Sequence, residues 1–210
     1  MTSLAKGGIA TAALGTAATG AYAGSIYLKE SVSKRLSNEG YTLISSIKNP
    51  EHEALQWKEE FKSDKTAIKT LLKLTDDSDD LGGKSLKSWC SSKLSESYSE
   101  KLEHLESVKK YCTLKTIGDW LTRNNKKLLT NDDGDKNKWE TTYSQRKTAK
   151  TSRALVGLAD AWPEGSTPDK KEADLPIIRK WCESTSRTHF KAHEQTFTHV
   201  KEWCTEGGTA

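Results

Sequence analysis

Apolar residues are scarce in this chain. Hydrophobic types make up 34% of its 210 residues and charged types 30%, which excludes one large core and leaves room for one ordinary domain or two small ones with thin cores. No run alternates β-branched with polar residues, so sheets are not expected. No phosphate-binding glycine loop, nucleophile elbow or dinucleotide fingerprint occurs. No acid, base and nucleophile converge either, and the chain reads as a non-enzyme without a cofactor. Basic charge is spread rather than concentrated: 33 Lys and Arg stand against 29 Asp and Glu, for a net +4. Most of the basic residues are lysines, which is not the pattern of a nucleic-acid binder. The densest basic stretch, "QRKTAKTSR", sets Arg146, Lys150 and Arg153 on one helical face and reads as an ordinary solvated surface.

One uncharged stretch is present, from Gly7 to Leu28. As a helix its 22 residues would cover ~33 Å, enough to cross the hydrocarbon core of a bilayer. Alanine, glycine and threonine dominate it, so it is a marginal span. Residues 1–30 are therefore read as a signal-anchor or transmembrane helix that makes the lipid membrane a partner. Gly20 and Gly24 form a small-xxx-small pair through which two such helices could dimerise. Cleavage after "AYA" (Ala21 to Ala23) would instead release a secreted form. Lys29, Lys34 and Arg35 outnumber Lys6 and favour a cytoplasmic body under the positive-inside rule. No cysteine lies in or just after the run, which excludes a lipoprotein-type anchor.

Beyond residue 40 the chain repeats itself. "YTLISS" at Tyr41 resembles "CTLKTI" at Cys112, "WKEEFKSDKTA" at Trp57 resembles "WETTYSQRKTA" at Trp139, and "LKSWC" resembles "IRKWC". The last match continues at a constant offset of 92, pairing Tyr98 with Phe190, Val108 with Val200 and Cys112 with Cys204. The expected units are residues 41–112 and 113–204, followed by a flexible tail at 205–210.

Helical periodicity sets the fold class, which is all-α: an N-terminal apolar helix followed by two duplicated helical bundles of about three helices each. Leu102, Leu105, Val108 and Tyr111 form one apolar stripe. "DLPIIRKWC" offers Asp174 as an N-cap with Pro176 in the first turn. "DDSDDLGG", "NDDGDKN" and "PEGSTPD" carry loop signals. All seven tryptophans lie beyond residue 56, and the recurring Trp57, Trp89, Trp139 and Trp181 read as structural aromatic anchors rather than a ligand platform.

Four cysteines allow three disulfide connectivities. In one straight helix Cys90 and Cys112 would stand about 33 Å apart, far beyond the ~6 Å between Cα atoms that a disulfide tolerates. A bond inside each unit therefore requires the chain to turn back, and the Ser/Thr-rich "SSKLSESYS" and "ESTSRT" supply the break. Cys90–Cys112 with Cys182–Cys204 is favoured because each unit is then self-sufficient. Cys90–Cys204 with Cys112–Cys182 across two antiparallel helices is the second arrangement. Four buried reduced thiols are the third state.

The histidines invite a metal reading that the spacing does not sustain. His189 and His193 share a helical face near His199, Cys182 and Cys204, yet the first unit has Ser97, Lys101 and Ser107 at the matching positions. Counted from Asp133, "DDGDKNKWE" has Lys138 where a calcium loop needs glycine and Ser144 where it needs glutamate. No metal is expected.

The apolar Gly/Ala-rich start, "GYTLISSI", "WKEEFKSD", "LKSWC", "KKYCTL", "IRKWC" and "VKEWC" together resemble the expanded paralogous protein families of haemotropic mycoplasmas, across nearly the whole chain. The resemblance implies surface exposure, host contact or antigenic variation, with a host protein or surface glycan as partner. It carries over no functional residues. The expectation is a membrane-anchored, surface-exposed helical interaction protein whose body is extracellular. The alternative is a soluble or cytoplasmic-facing structural module with reduced cysteines.

Overall fold

The computed structural model describes residues 30–76, 78–159, 161–162 and 170–206. The membrane reading of Gly7, Gly20, Gly24 and Leu28 lies outside these residues, as does the "PEGSTPD" loop. Among the described residues no helix is long and apolar enough to cross a membrane. They form nine α-helices and no strand.

The first five helices are α1 (Val32–Asn38), α2 (Pro50–Ser63), α3 (Lys65–Leu72), α4 (Asp79–Ser95) and α5 (Leu105–Tyr111). Local chemistry fixes their starts. The Asn49 side chain accepts the amides of Glu51 and His52, Pro50 opens the first turn of α2, and Glu51 and Glu53 complement the positive end of its dipole. Ser78 caps α4 by accepting the Leu81 amide at 3.4 Å. Val32, Leu36, Trp57, Phe61, Leu86, Cys90, Val108 and Cys112 are the centre of one apolar cluster.

"DDSDDLGG" is not a loop: α4 begins inside it. The two glycines serve close approach rather than a turn. A Cβ on Gly82 would lie 2.3 Å from the Phe61 ring, and one on Gly83 would lie 2.9 Å from the Lys58 amide nitrogen. The absence of side chains there lets α4 lie against α2. Leu102, placed on the stripe of α5, instead precedes that helix.

The second set is α6 (Ile117–Arg123), α7 (Lys136–Thr148), α8 (Lys171–Ser186) and α9 (Thr196–Cys204). Thr116 caps α6 by accepting the Asp119 amide at 3.1 Å. Ile117, Leu121, Trp139, Tyr143, Ile178, Cys182, Val200 and Trp203 centre a second cluster. Fully burying a tryptophan such as Trp57 or Trp139 removes roughly 150–250 Å² from water, on the order of 4–6 kcal/mol before conformational entropy is subtracted. Trp89 and Trp181 pack only half-buried at the edges of their clusters.

Asp174 is not a cap. It lies inside α8 with Pro176, is buried, and pairs with Arg153. Arg146 and Arg153 are likewise buried, so of the basic stripe only Lys150 is solvated. For Arg153 the cause is a shared acceptor: Arg153 Nη2 and the Tyr143 hydroxyl both donate to Asp174 Oδ2, the latter at 2.7 Å.

The disulfides are Cys90–Cys112 and Cys182–Cys204, each spanning 22 residues with Cα atoms 5.6 Å apart. Helices α4 and α8 end at Ser95 and Ser186, within the Ser-rich stretches, and the chain turns back from there. Short backbone bridges close each set. The Val32 amide donates to Glu96 O and the Ile44 amide to Cys112 O, while Ile117 donates to Thr188 O and Leu129 to Cys204 O. The first cluster thus includes α1, ahead of residue 41, and Leu114. The tail expected at 205–210 begins with two anchored residues: Thr205 is buried and donates to Lys201 O at 2.6 Å, and Glu206 pairs with Lys138.

Candidate functional site

Helix α2 carries His52, Gln56, Glu60 and Ser63, spaced i, i+4, i+8 and i+11, and this spacing gathers them on one face. Such a row on a charged helix ordinarily faces water. Here Gln56 and Glu60 are each 1% exposed, because the second set of helices lies over them.

Every member of the row reaches across the joint. The His52 ring stacks on that of His193 at a centroid distance of 3.8 Å and 11°. Gln56 Oε1 accepts the Ala192 amide at 2.8 Å. Arg123 Nη1 donates to Glu60 Oε1 at 2.5 Å and to Ser63 Oγ at 2.9 Å, and Nη2 donates to Lys110 O at 3.3 Å. The guanidinium also lies over the rings of Trp120 and Tyr111, and Trp120 stacks on Phe190 at 4.1 Å. One arginine from the last turn of α6 therefore ties together α2, α5 and its own helix.

Burial dominates the electrostatics. It pushes the Glu60 carboxyl up to about 7 even though Arg123 and Lys115 favour the charged form. Burial also pushes the Lys115 ammonium down. At Asp64 burial pushes up, but hydrogen bonds from Lys110 at 2.7 Å and Tyr111 at 2.8 Å outweigh it and hold the carboxyl below the usual range.

Beside the joint, where α5 ends, an open groove of about 530 Å³ is lined by Tyr41, Glu106, Lys109, Lys110 and Lys115 among others. Lys115 Nζ donates to Lys109 O at 2.6 Å and to Thr113 Oγ1 at 3.0 Å.

The structure joins the four cysteines in two pairs, and its most convergent polar cluster includes neither them nor the four repeated tryptophans. His193 meets His52 rather than Cys182 or Cys204, and among the described residues no group of three or more His, Cys, Asp or Glu side chains is placed to hold a metal ion. The joint was not anticipated from the sequence, although the period of the α2 row was a readable signal. No family model, curated protein or solved structure matches the chain.

Proposed function

We propose that the chain is a disulfide-stapled helical binding protein whose body lies outside the cytoplasm, held to the membrane by its N-terminal apolar segment, and that it acts by contact rather than catalysis. The observation that carries this reading is the pair of disulfides, one closing each cluster, because such bonds persist in oxidising surroundings and suit thin cores. The buried ion pair Glu60–Arg123 joins α2 to α6 and Asp174–Arg153 joins α8 to the turn at Arg153, places that suit a packing role. On the resemblance given above, the partner is a host protein or surface glycan.

The two sets of helices are, on this reading, copies of one unit. Their support is the recurrence of the bridging bonds: from Val32–Glu96 to Ile117–Thr188, and from Ile44–Cys112 to Leu129–Cys204, the first partner advances by 85 residues and the second by 92. Repeated scaffolds with divergent faces suit a protein selected for what it touches.

Non-reducing against reducing mass analysis of the protein from intact cells, combined with protease shaving of the cell surface, tests the location. Two disulfides and cleavage by external protease are expected. Four free thiols in a protease-protected body would overturn it.

A further inference from the structure

The groove at the end of α5 holds an ammonium whose charge has no close partner. Lys110 is bound to Asp64, and Lys109 lies 3.4 Å from Glu106, which is 86% exposed and free to swing toward water. Lys115 differs from both. Its two acceptors are a carbonyl and a hydroxyl, neither charged, and among the described residues no carboxylate lies within 4.0 Å of it. Glu60, the acidic group acting on it most strongly, is already bound to Arg123. A partly buried cation without a counterion is costly, and the cost is relieved by an anion brought from solution.

The surrounding residues suit such an anion. Lys109 and Lys110 add positive charge along the same wall, Ser107 is among the lining residues, and Tyr41 leaves an exposed ring beneath Lys109 at 6.0 Å. The volume is that of a small-molecule site rather than of a single ion. We propose that this groove binds the sulfate or phosphate group of a small ligand, with Lys115 as the central contact and Lys109 and Lys110 beside it. The inference does not depend on where the body resides, so its failure leaves the proposed location untouched, and the reverse holds as well.

The test uses the full-length chain grown with lysine labelled at Cε and Nζ, which leaves every ammonium donor in place, and titrates inorganic sulfate or phosphate at constant ionic strength balanced with chloride. The signals of Lys109, Lys110 and Lys115 are expected to shift saturably while those of the exposed Lys126 and Lys127 do not. Lys115→Met is expected to bind about tenfold more weakly, as for the loss of one charge-assisted hydrogen bond. Lys109→Gln, which keeps a polar side chain of similar length on the wall, provides a second weakened variant should Lys115→Met fail to fold. A sulfated monosaccharide and glycerophosphate are run beside the two ions, and the one that binds more tightly than its parent ion assigns the source as saccharide or lipid headgroup. Equal, unsaturable shifts at all lysines, or unchanged binding in both variants, would overturn the proposal.

Discussion

Glu60 and Arg123, 63 residues apart in sequence, meet at 2.5 Å across the joint between the two sets of helices. The pair is asymmetric, since Glu60 is 1% exposed while the arginine side chain keeps 15% of its surface in water. That asymmetry explains why desolvation outweighs attraction at the carboxyl. It also makes the joint responsive to pH near neutrality.

The direction follows from linkage. The Glu60 carboxyl rises from 4.5 in the unfolded chain to about 7 in the folded one. Its contribution is therefore fully present below the unfolded value and is lost as pH rises through about 7. The loss is on the order of 3 kcal/mol. Urea unfolding at a series of pH values should show wild type losing stability relative to Glu60→Gln between about pH 5 and about pH 8. Parallel curves would show that Glu60 is not titrating there.

Gly82→Ala tests the approach of α4 to α2. Alanine is favoured over glycine within a helix by about 1 kcal/mol, so an open site would gain stability. Here the added Cβ would lie 2.3 Å from the Phe61 ring. Phe61 is fully buried and the strain of overpacking is about 1–3 kcal/mol. A net fall in melting temperature is expected, with part of it restored by Phe61→Leu in the same chain. A rise in the single variant would mean that the ring moves aside freely.

Much of the scaffold is legible in the sequence because the features that specify it are local or repeated. The Cys90 to Cys112 and Cys182 to Cys204 spacings, the Ser-rich breaks between them and the Trp57 and Trp139 anchors all recur in the chain. The joint is different, since its residues do not repeat. Glu60 aligns with Thr142 and Gln56 with Lys138 when Trp57 is laid on Trp139, and Arg123 falls on Asn38 when Ile117 is laid on Val32. A contact made once, between the two sets of helices, leaves no mark when the sequence of one set is compared with that of the other. Burial of Arg153 and Asp174 was hidden for a related reason: each looks solvated on its own helix or turn, and only the fold brings them to one acceptor oxygen.

Removing one disulfide should loosen one set of helices and leave the other. Cys90→Ala with Cys112→Ala is expected to cost about 2–5 kcal/mol. Amide exchange provides the local readout, because the Ile44 amide donates to Cys112 O and the Leu129 amide to Cys204 O. Protection at Ile44 should fall in this variant and protection at Leu129 should persist, with the pattern reversed for Cys182→Ala with Cys204→Ala. Equal loss at both amides would mean that the joint couples the two sets into one cooperative unit.

The Arg153–Asp174 pair differs from the joint in having both partners buried and a third group on the same oxygen, the Tyr143 hydroxyl. Arg153→Met leaves a buried carboxylate with one neutral donor, and breaking such a pair costs about 3–5 kcal/mol. Asp174→Asn keeps an acceptor for Tyr143 but strands the guanidinium, which retains its bond to Ala161 O at 2.8 Å and its place over the Trp162 ring. Tyr143→Phe removes a single hydroxyl and should cost about 1–3 kcal/mol. The informative variant is the double replacement, Arg153→Met with Asp174→Leu. If the pair serves packing alone, the double variant should unfold at a higher urea concentration than Arg153→Met, since two apolar groups leave no buried charge behind. A double variant less stable than both single ones would show that the ion pair contributes net stability to the packing of α7, α8 and the turn at Arg153.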